Sequence, residues 1–121
     1  MPLARMELYK GNVQIYLAPT ADARDTWIAS MRHIACEGRC YVLSANQFMK
    51  GKHYPKFYQK QLKKVSDADC SGGSLVVNPM GEVIAGPIRD REGLITISLD
   101  LKKTLDAKFD FDVVGHYRFP Q

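Results

Sequence analysis

At 121 residues, 45% hydrophobic and 25% charged, the chain has an ordinary globular composition with room for one domain and not two. No stretch approaches the roughly 20 apolar residues of a membrane span, and the opening MPLARMELYKGN lacks the apolar core of a secretory leader, so a cytoplasmic location is expected. The net charge of +4 is local: six of the 17 Lys and Arg fall in residues 50–64, KGKHYPKFYQKQLKK, which hold no acid, leaving 11 against 13 acids elsewhere, unlike a nucleic-acid-binding domain.

Pro2 suits a first helical turn, and residues 2–10 describe a short helix that Gly11 and Asn12 end. Residues 13–18, VQIYLA, read as a strand stopped by Pro19, and residues 20–25 form a polar connection. In residues 25–38, Trp27, Ile28, Met31, Ile34, Ala35 and Gly38 share one arc of a helical wheel, while Ser30, Arg32, His33 and Glu37 lie outside it. That is an amphipathic helix with one face to bury, capped by Asp25 or Thr26 and released by Gly38. The β-prone run 40–46 follows, and a right-handed crossover makes it a parallel neighbour of 13–18. The loop from Pro19 to Asp25 then lies at the carboxyl end of a strand, where open α/β sheets place their ligand sites.

Residues 47–71 lack apolar periodicity and read as a long surface excursion. Strands at 74–78 and 83–86 flank the turn Pro79–Glu82 as a hairpin, and a further strand is expected at 93–99. Asp100 caps a helix over 101–109 whose Leu101, Leu105 and Phe109 recur at four-residue spacing, and residues 110–121 form an irregular tail.

Few residues carry chemistry. Cys70, before Gly72 and Gly73, has the setting of a nucleophile beside an amide-rich loop, and equally that of a small residue buried at a strand start; the second reading is preferred. His33, Cys36 and Cys40 include metal-ligand types, but their helical phases differ and Cys40 lies past the helix end, so no metal is expected. Three cysteines without regular spacing suit a reducing compartment. His33 and Glu37 suit an ordinary i,i+4 pair. Asp22, Arg24 and Asp25 are candidates to line a pocket. The lysines of 50–64, interleaved with Tyr54, Phe57 and Tyr58, could meet phosphates and bases, although a solvated loop or subunit contact is the preferred reading and nucleic acid is not an expected partner.

The segments Met1-Pro-Leu-Ala-Arg5, Ala18-Pro-Thr-Ala-Asp22, Arg24-Asp-Thr-Trp27, Arg32-His-Ile-Ala35 with Glu37-Gly38, and Leu43-Ser-Ala-Asn-Gln-Phe48 recur in the nitrilases in this order. So do Cys70-Ser-Gly-Gly-Ser74, Pro79-Met-Gly-Glu82, Ala85-Gly-Pro87, Glu92-Gly-Leu94 and the closing Lys108-Phe-Asp-Phe-Asp-Val-Val-Gly-His-Tyr117. Over residues 1–121 the chain resembles the C-terminal part of a nitrilase, in the carbon–nitrogen hydrolase superfamily. The resemblance implies an α/β fold, the C-terminal part of an α-β-β-α sandwich and so an incomplete domain.

It also implies a chemistry in which a cysteine thiolate attacks the nitrile carbon, a glutamate acts as base and a lysine stabilises the tetrahedral intermediate, releasing a carboxylic acid and ammonia. In the family the nucleophile stands in a Cys-Trp-Glu-Asn motif just before the run that here begins at Met1. No catalytic residue is therefore assigned to this chain, Cys70 included, and no cofactor is expected. Pro19, Thr20, Ala21, Asp22 and Trp27 are the expected substrate-pocket wall. Cys36 and Arg39 depart from the family's aliphatic residue and glycine, and residues 49–55 from its arginine-rich form. The expectation is a nitrilase segment from a truncated or split reading frame, inactive alone, whose partners are an N-terminal nitrilase fragment or further copies paired through exposed sheet edges. The alternative is a non-catalytic binding or assembly module using the basic loop 50–64.

Overall fold

The structure, a computed structural model, describes residues 1–65 and 69–117. Its elements in chain order are α1 (Pro2–Lys10), β1 (Ile15–Leu17), α2 (Asp25–Gly38), β2 (Tyr41–Ser44), β3 (Phe48–Met49), a 3-10 turn at Gly51–His53, α3 (Lys56–Gln59), β4 (Cys70–Val77), β5 (Val83–Arg89) and α4 (Lys102–Asp110). One sheet runs β1-β2-β4-β3, with β5 also paired to β4. β1 and β2 are parallel, as the crossover through α2 requires, and the remaining pairs are antiparallel. The fold is mixed α/β with a single sheet, and no helix among the described residues is long and apolar enough to cross a membrane.

The core lies between α2 and one face of the sheet. Met31, Ile34 and Ala35 from α2 meet Ala18, Cys40, Val42, Leu75 and Val77, with Trp27 and Ile28 packed at the margin. Since side chains alternate along a strand, Leu17, Leu43 and Val76 point to the opposite face, where they are in register across three strands. That face carries an apolar groove of about 440 Å³ over Leu17, Leu43, Val76, Leu94 and Ile95, and Leu17 is 69% exposed.

Both ends of α2 depart from expectation. Arg24 is the N-cap, and neither Asp25 nor Thr26 provides a side-chain cap. At the other end Arg39, not Gly38, takes the left-handed conformation, with φ 46° and ψ 47°. Gly38 is glycine for a packing reason: a Cβ there would stand 2.4 Å from Cε1 of Tyr9, whose ring crosses from α1. Arg39 occupies the position usual for glycine and is held by long-range contacts. Its guanidinium donates to Asp110 at 2.7 Å and to the Met80 sulfur at 3.2 Å, and it lies 5.3 Å from the Phe111 ring centroid.

One other expectation is corrected. Residues 93–99 form no strand: Ile95, Ile97 and Leu99 are half-buried and Leu94, Thr96 and Ser98 exposed, and the segment joins no ladder among the described residues. The alternating pattern of a strand is present without a pairing strand among the described residues. In α4 the Leu101–Leu105–Phe109 stripe faces outward, Phe109 at 91% exposed, while Thr104 and Ala107 are buried. Polar ties set this phase: Gln14 Nε2 donates to Thr104 Oγ1 at 3.2 Å, and Tyr41 Oη to the Asp100 carbonyl at 2.9 Å. Asp100 does accept from the Lys102 N–H at 3.0 Å, as expected of a cap.

The excursion 47–71 holds β3, the 3-10 turn and α3, with residues 66–68 outside the described residues. The hairpin strands exceed their expected 74–78 and 83–86, reaching back to Cys70 and on to Arg89. The tail turns irregularly to Tyr117, and residues 118–121 lie outside the described residues.

Candidate functional site

The loop Pro19–Asp25 leaves the carboxyl end of β1 and leads into α2, and its backbone is tied down before any side chain is considered. Thr20 bridges Asn46 in the parallel sense, its N–H donating to Ala45 at 2.9 Å and its carbonyl accepting from Gln47 at 3.0 Å. The β1–β2 ladder thus continues into the loop. The Asp22 N–H then donates to Thr20 Oγ1 at 3.0 Å, a local turn that serine and threonine favour.

Two residues that the sequence reading did not single out for the site clamp this loop. Asn46, buried, donates through Nδ2 to the Asp22 carbonyl at 2.7 Å, and its own N–H donates to Ser74 Oγ at 2.8 Å. Its Oδ1 is buried without a hydrogen-bond partner among the described residues. Arg89, at the end of β5, donates to the Ala23 carbonyl at 2.7 Å and to Asp25 Oδ1 at 2.9 Å. Gly73 has φ +123°, and a Cβ there would approach Asn46 Nδ2 to 3.2 Å, so the glycine leaves the Asn46 amide its space.

Within the loop, Arg24 grips Asp22 through Nε at 2.9 Å and Nη2 at 2.5 Å, and its N–H adds a third bond at 3.0 Å. The guanidinium contact first, and the amide second, hold the Asp22 carboxyl down to about 2. Trp27 is fixed from the other side: its indole N–H donates to Ser44 Oγ at 2.9 Å, and Ser44 Oγ donates to the Ala18 carbonyl at 2.9 Å. α2, β2 and β1 are joined by that relay.

The five expected wall residues fall on two sides of the loop. Thr20, Ala21 and Asp22 line an open depression of about 690 Å³ with Ala23, Arg24, Asp69 and Cys70. Pro19 and Trp27 line a cleft of about 510 Å³ that includes Met1 and, from α1, Arg5 and Leu8. Cys70 is half-buried as the first residue of β4 and so lies beside the loop.

The remaining candidates separate. Glu37 receives His33 at 3.7 Å, as its spacing predicts, and also Tyr9 Oη at 2.9 Å and Arg5 Nε at 3.4 Å, so it joins α1 to α2. Burial first, and then the bond to Glu37, push the Tyr9 phenol well above its usual value. Cys40 is fully buried, and burial pushes its thiol up to about 11. Among the described residues no three His, Cys, Asp or Glu side chains converge as a metal site would need. In the basic excursion Asp69 accepts from the Gly51 N–H at 2.6 Å and pairs with Lys50 at 3.5 Å; the Gly51 bond is the first cause lowering its pKa.

Comparison with known proteins places this geometry. A sequence profile of the carbon–nitrogen hydrolase family matches residues 1–109. The chain is 50% identical to a bifunctional nitrilase/nitrile hydratase NIT4B of Nicotiana tabacum, over 100% of its own length and 36% of that protein's. It is 48% identical to an arylacetonitrilase of Trametes versicolor and 47% to an aliphatic nitrilase of Sinorhizobium fredii, covering 97% and 99% of itself and 38% and 39% of them. Among solved structures, a carbon–nitrogen hydrolase from Helicobacter pylori G27 superposes with TM-score 0.73 at 16% identity, over 92% of this chain and 40% of that one. A superfamily protein from Xanthomonas campestris gives 0.60 at 19%, over 84% and 34%. These two show a shared fold. The chain spans little more than a third of the length of the nitrilases it matches. It belongs to the carbon–nitrogen hydrolase family, with nitrilases among its relatives.

Proposed function

We propose that this chain forms one wall of a nitrilase-type site and that the cysteine, glutamate and lysine of that site come from polypeptide outside residues 1–121. One observation carries the reading. Met1 opens the run that the nucleophile motif precedes in nitrilases, and Met1 lines the same cleft as Pro19 and Trp27. A nucleophile supplied there would face Trp27 on a helix fixed through Ser44, and the Pro19–Asp25 loop held by Asn46 and Arg89.

In this arrangement the chain's residues position and exclude water, and the bond-making groups arrive with a partner. The partner is an N-terminal nitrilase piece ending in Cys-Trp-Glu-Asn, which would also cover the groove over Leu17, Leu43 and Val76. Joining two chains costs roughly 4–15 kcal/mol of rigid-body freedom, and small displacements near a nucleophile are expensive, so activity is expected to be weak. The test is co-expression of the two pieces with an assay of ammonia released from nitriles. Weak hydrolysis, lost in Trp27→Ala, is the expected result; failure of the pieces to co-purify would end the proposal.

The basic loop provides a second reading, since Phe57 and Tyr58 are 67% and 56% exposed among its lysines and form an edge-on pair at 5.5 Å. A single-strand nucleic-acid titration at low salt is expected to be flat. Salt-sensitive binding would favour the module reading instead.

A further inference from the structure

Arg39 is a buried cation whose donors outnumber its acceptors. A guanidinium has five N–H donors in one plane, and this residue is 7% exposed. Nη2 donates to Asp110 at 2.7 Å, the one oxygen the guanidinium meets among the described residues. Nη1 meets only sulfur, Met80 Sδ at 3.2 Å and Cys36 Sγ at 3.9 Å. Nε is buried with no hydrogen-bond partner among the described residues. Thioethers and thiols are weak acceptors, and a buried donor without an acceptor destabilises the folded state.

We propose that Met80 is a reversible oxidation site, where a peroxide converts the thioether to a sulfoxide and Arg39 receives the new oxygen. Met80 stands in the turn between β4 and β5 and is 51% exposed, so a small peroxide reaches it from solvent, while its sulfur already accepts from Arg39. In the step, a sulfur lone pair attacks one oxygen of hydrogen peroxide. An S–O bond forms as the O–O bond breaks, and the departing hydroxide takes the proton of the transferred oxygen and leaves as water. Sulfur loses two electrons and the peroxide gains them. Methionine has three rotatable bonds, so the oxygen can turn onto Nη1 and the neighbouring Nε while the backbone stays in place.

The consequence is the reverse of the usual one. Oxidation makes an apolar side chain polar and ordinarily disrupts its packing. Here the polar atom arrives beside a cation with donors to spare, so the sulfoxide form of the fold is the more stable. The site follows the C-terminal end of α2, a 14-residue helix about 20 Å long, whereas the Pro19–Asp25 loop lies at its start. The inference therefore stands apart from the catalytic reading.

The test compares thermal melts of the full chain before and after brief hydrogen peroxide treatment. Dithiothreitol added afterwards returns reversibly oxidised thiols, and peptide mass spectrometry locates the sulfoxide. The wild type should gain oxygen at Met80, and its midpoint should rise by about 3–6 °C, the shift that one net hydrogen bond gives a chain of this size. Methionine sulfoxide reductase should reverse both changes. Met80→Leu keeps the volume without the chemistry, so treatment should not raise its midpoint; this separates Met80 from Met1, which is 91% exposed. Arg39→Gly suits the left-handed φ of 46° and removes the guanidinium, so it should gain the Met80 sulfoxide with no rise. A wild type without oxygen at Met80, a midpoint that stays or falls on oxidation, or a rise that survives in Arg39→Gly would each overturn the inference.

Discussion

Asn46 and Arg89 show how little of the loop's order comes from the loop itself. Arg89 reaches the Ala23 carbonyl and Asp25 from 66 and 64 residues away along the chain. Arg89→Ala should raise amide exchange rates across residues 20–25 and cost about 1–2 kcal/mol, the range for a charge-assisted bond near the surface; exchange rates equal to the wild type would contradict the clamp. Ser44→Ala should cost about 1–3 kcal/mol in denaturant unfolding, because it strands both the Trp27 indole N–H and the Ala18 carbonyl. For Asp22 the folded value is depressed, so the Arg24 bonds contribute in full above the unfolded carboxylate value of about 3.9 and are lost as the pH falls through about 2. Carboxyl titration by NMR should find that midpoint near 2 in the wild type and return it toward the ordinary carboxylate range in Arg24→Ala.

Elements with strong local patterning were legible, and those depending on distant partners were not. α2 spans Asp25–Gly38 as its periodicity predicts, since six apolar positions on one arc leave a single way to bury it. The parallel β1–β2 pair and the β4–β5 hairpin follow from crossover handedness and a Pro/Gly turn. Asp25 does not cap α2 because it is already the first helical residue, after Arg24, and its carboxylate accepts from Arg89, a partner on β5 that no local signal reports. Gly38 was read as a helix stop, whereas the Tyr9 ring explains it. Replacing an exposed helical glycine by alanine usually gains about 1 kcal/mol. Here the new methyl would overlap the ring, so Gly38→Ala should instead lower stability by about 1–3 kcal/mol, read from the denaturation midpoint. In α4 the four-residue spacing of Leu101, Leu105 and Phe109 marks one stripe without saying which way it faces; Thr104 and the Asp100 carbonyl are tied inward by hydrogen bonds, and the stripe lies outward.

At the scale of the molecule, one sheet with α2 on one face has an apolar groove on the other, a segment of strand-like burial pattern with no ladder among the described residues, and a helix with its apolar stripe outward. Periodicity marks a face for burial without naming what buries it, so the pattern alone could not show that these surfaces lie outward. The loop after β1 was legible from Pro19 and the helix that follows it, while the division of its residues between two depressions was not. The central claim is that residues 1–121 carry a wall and no bond-making group. It is tested most directly by ammonia release from aliphatic and aromatic nitriles with the isolated chain: the account predicts none above the buffer, and release that Cys70→Ala abolishes would contradict it.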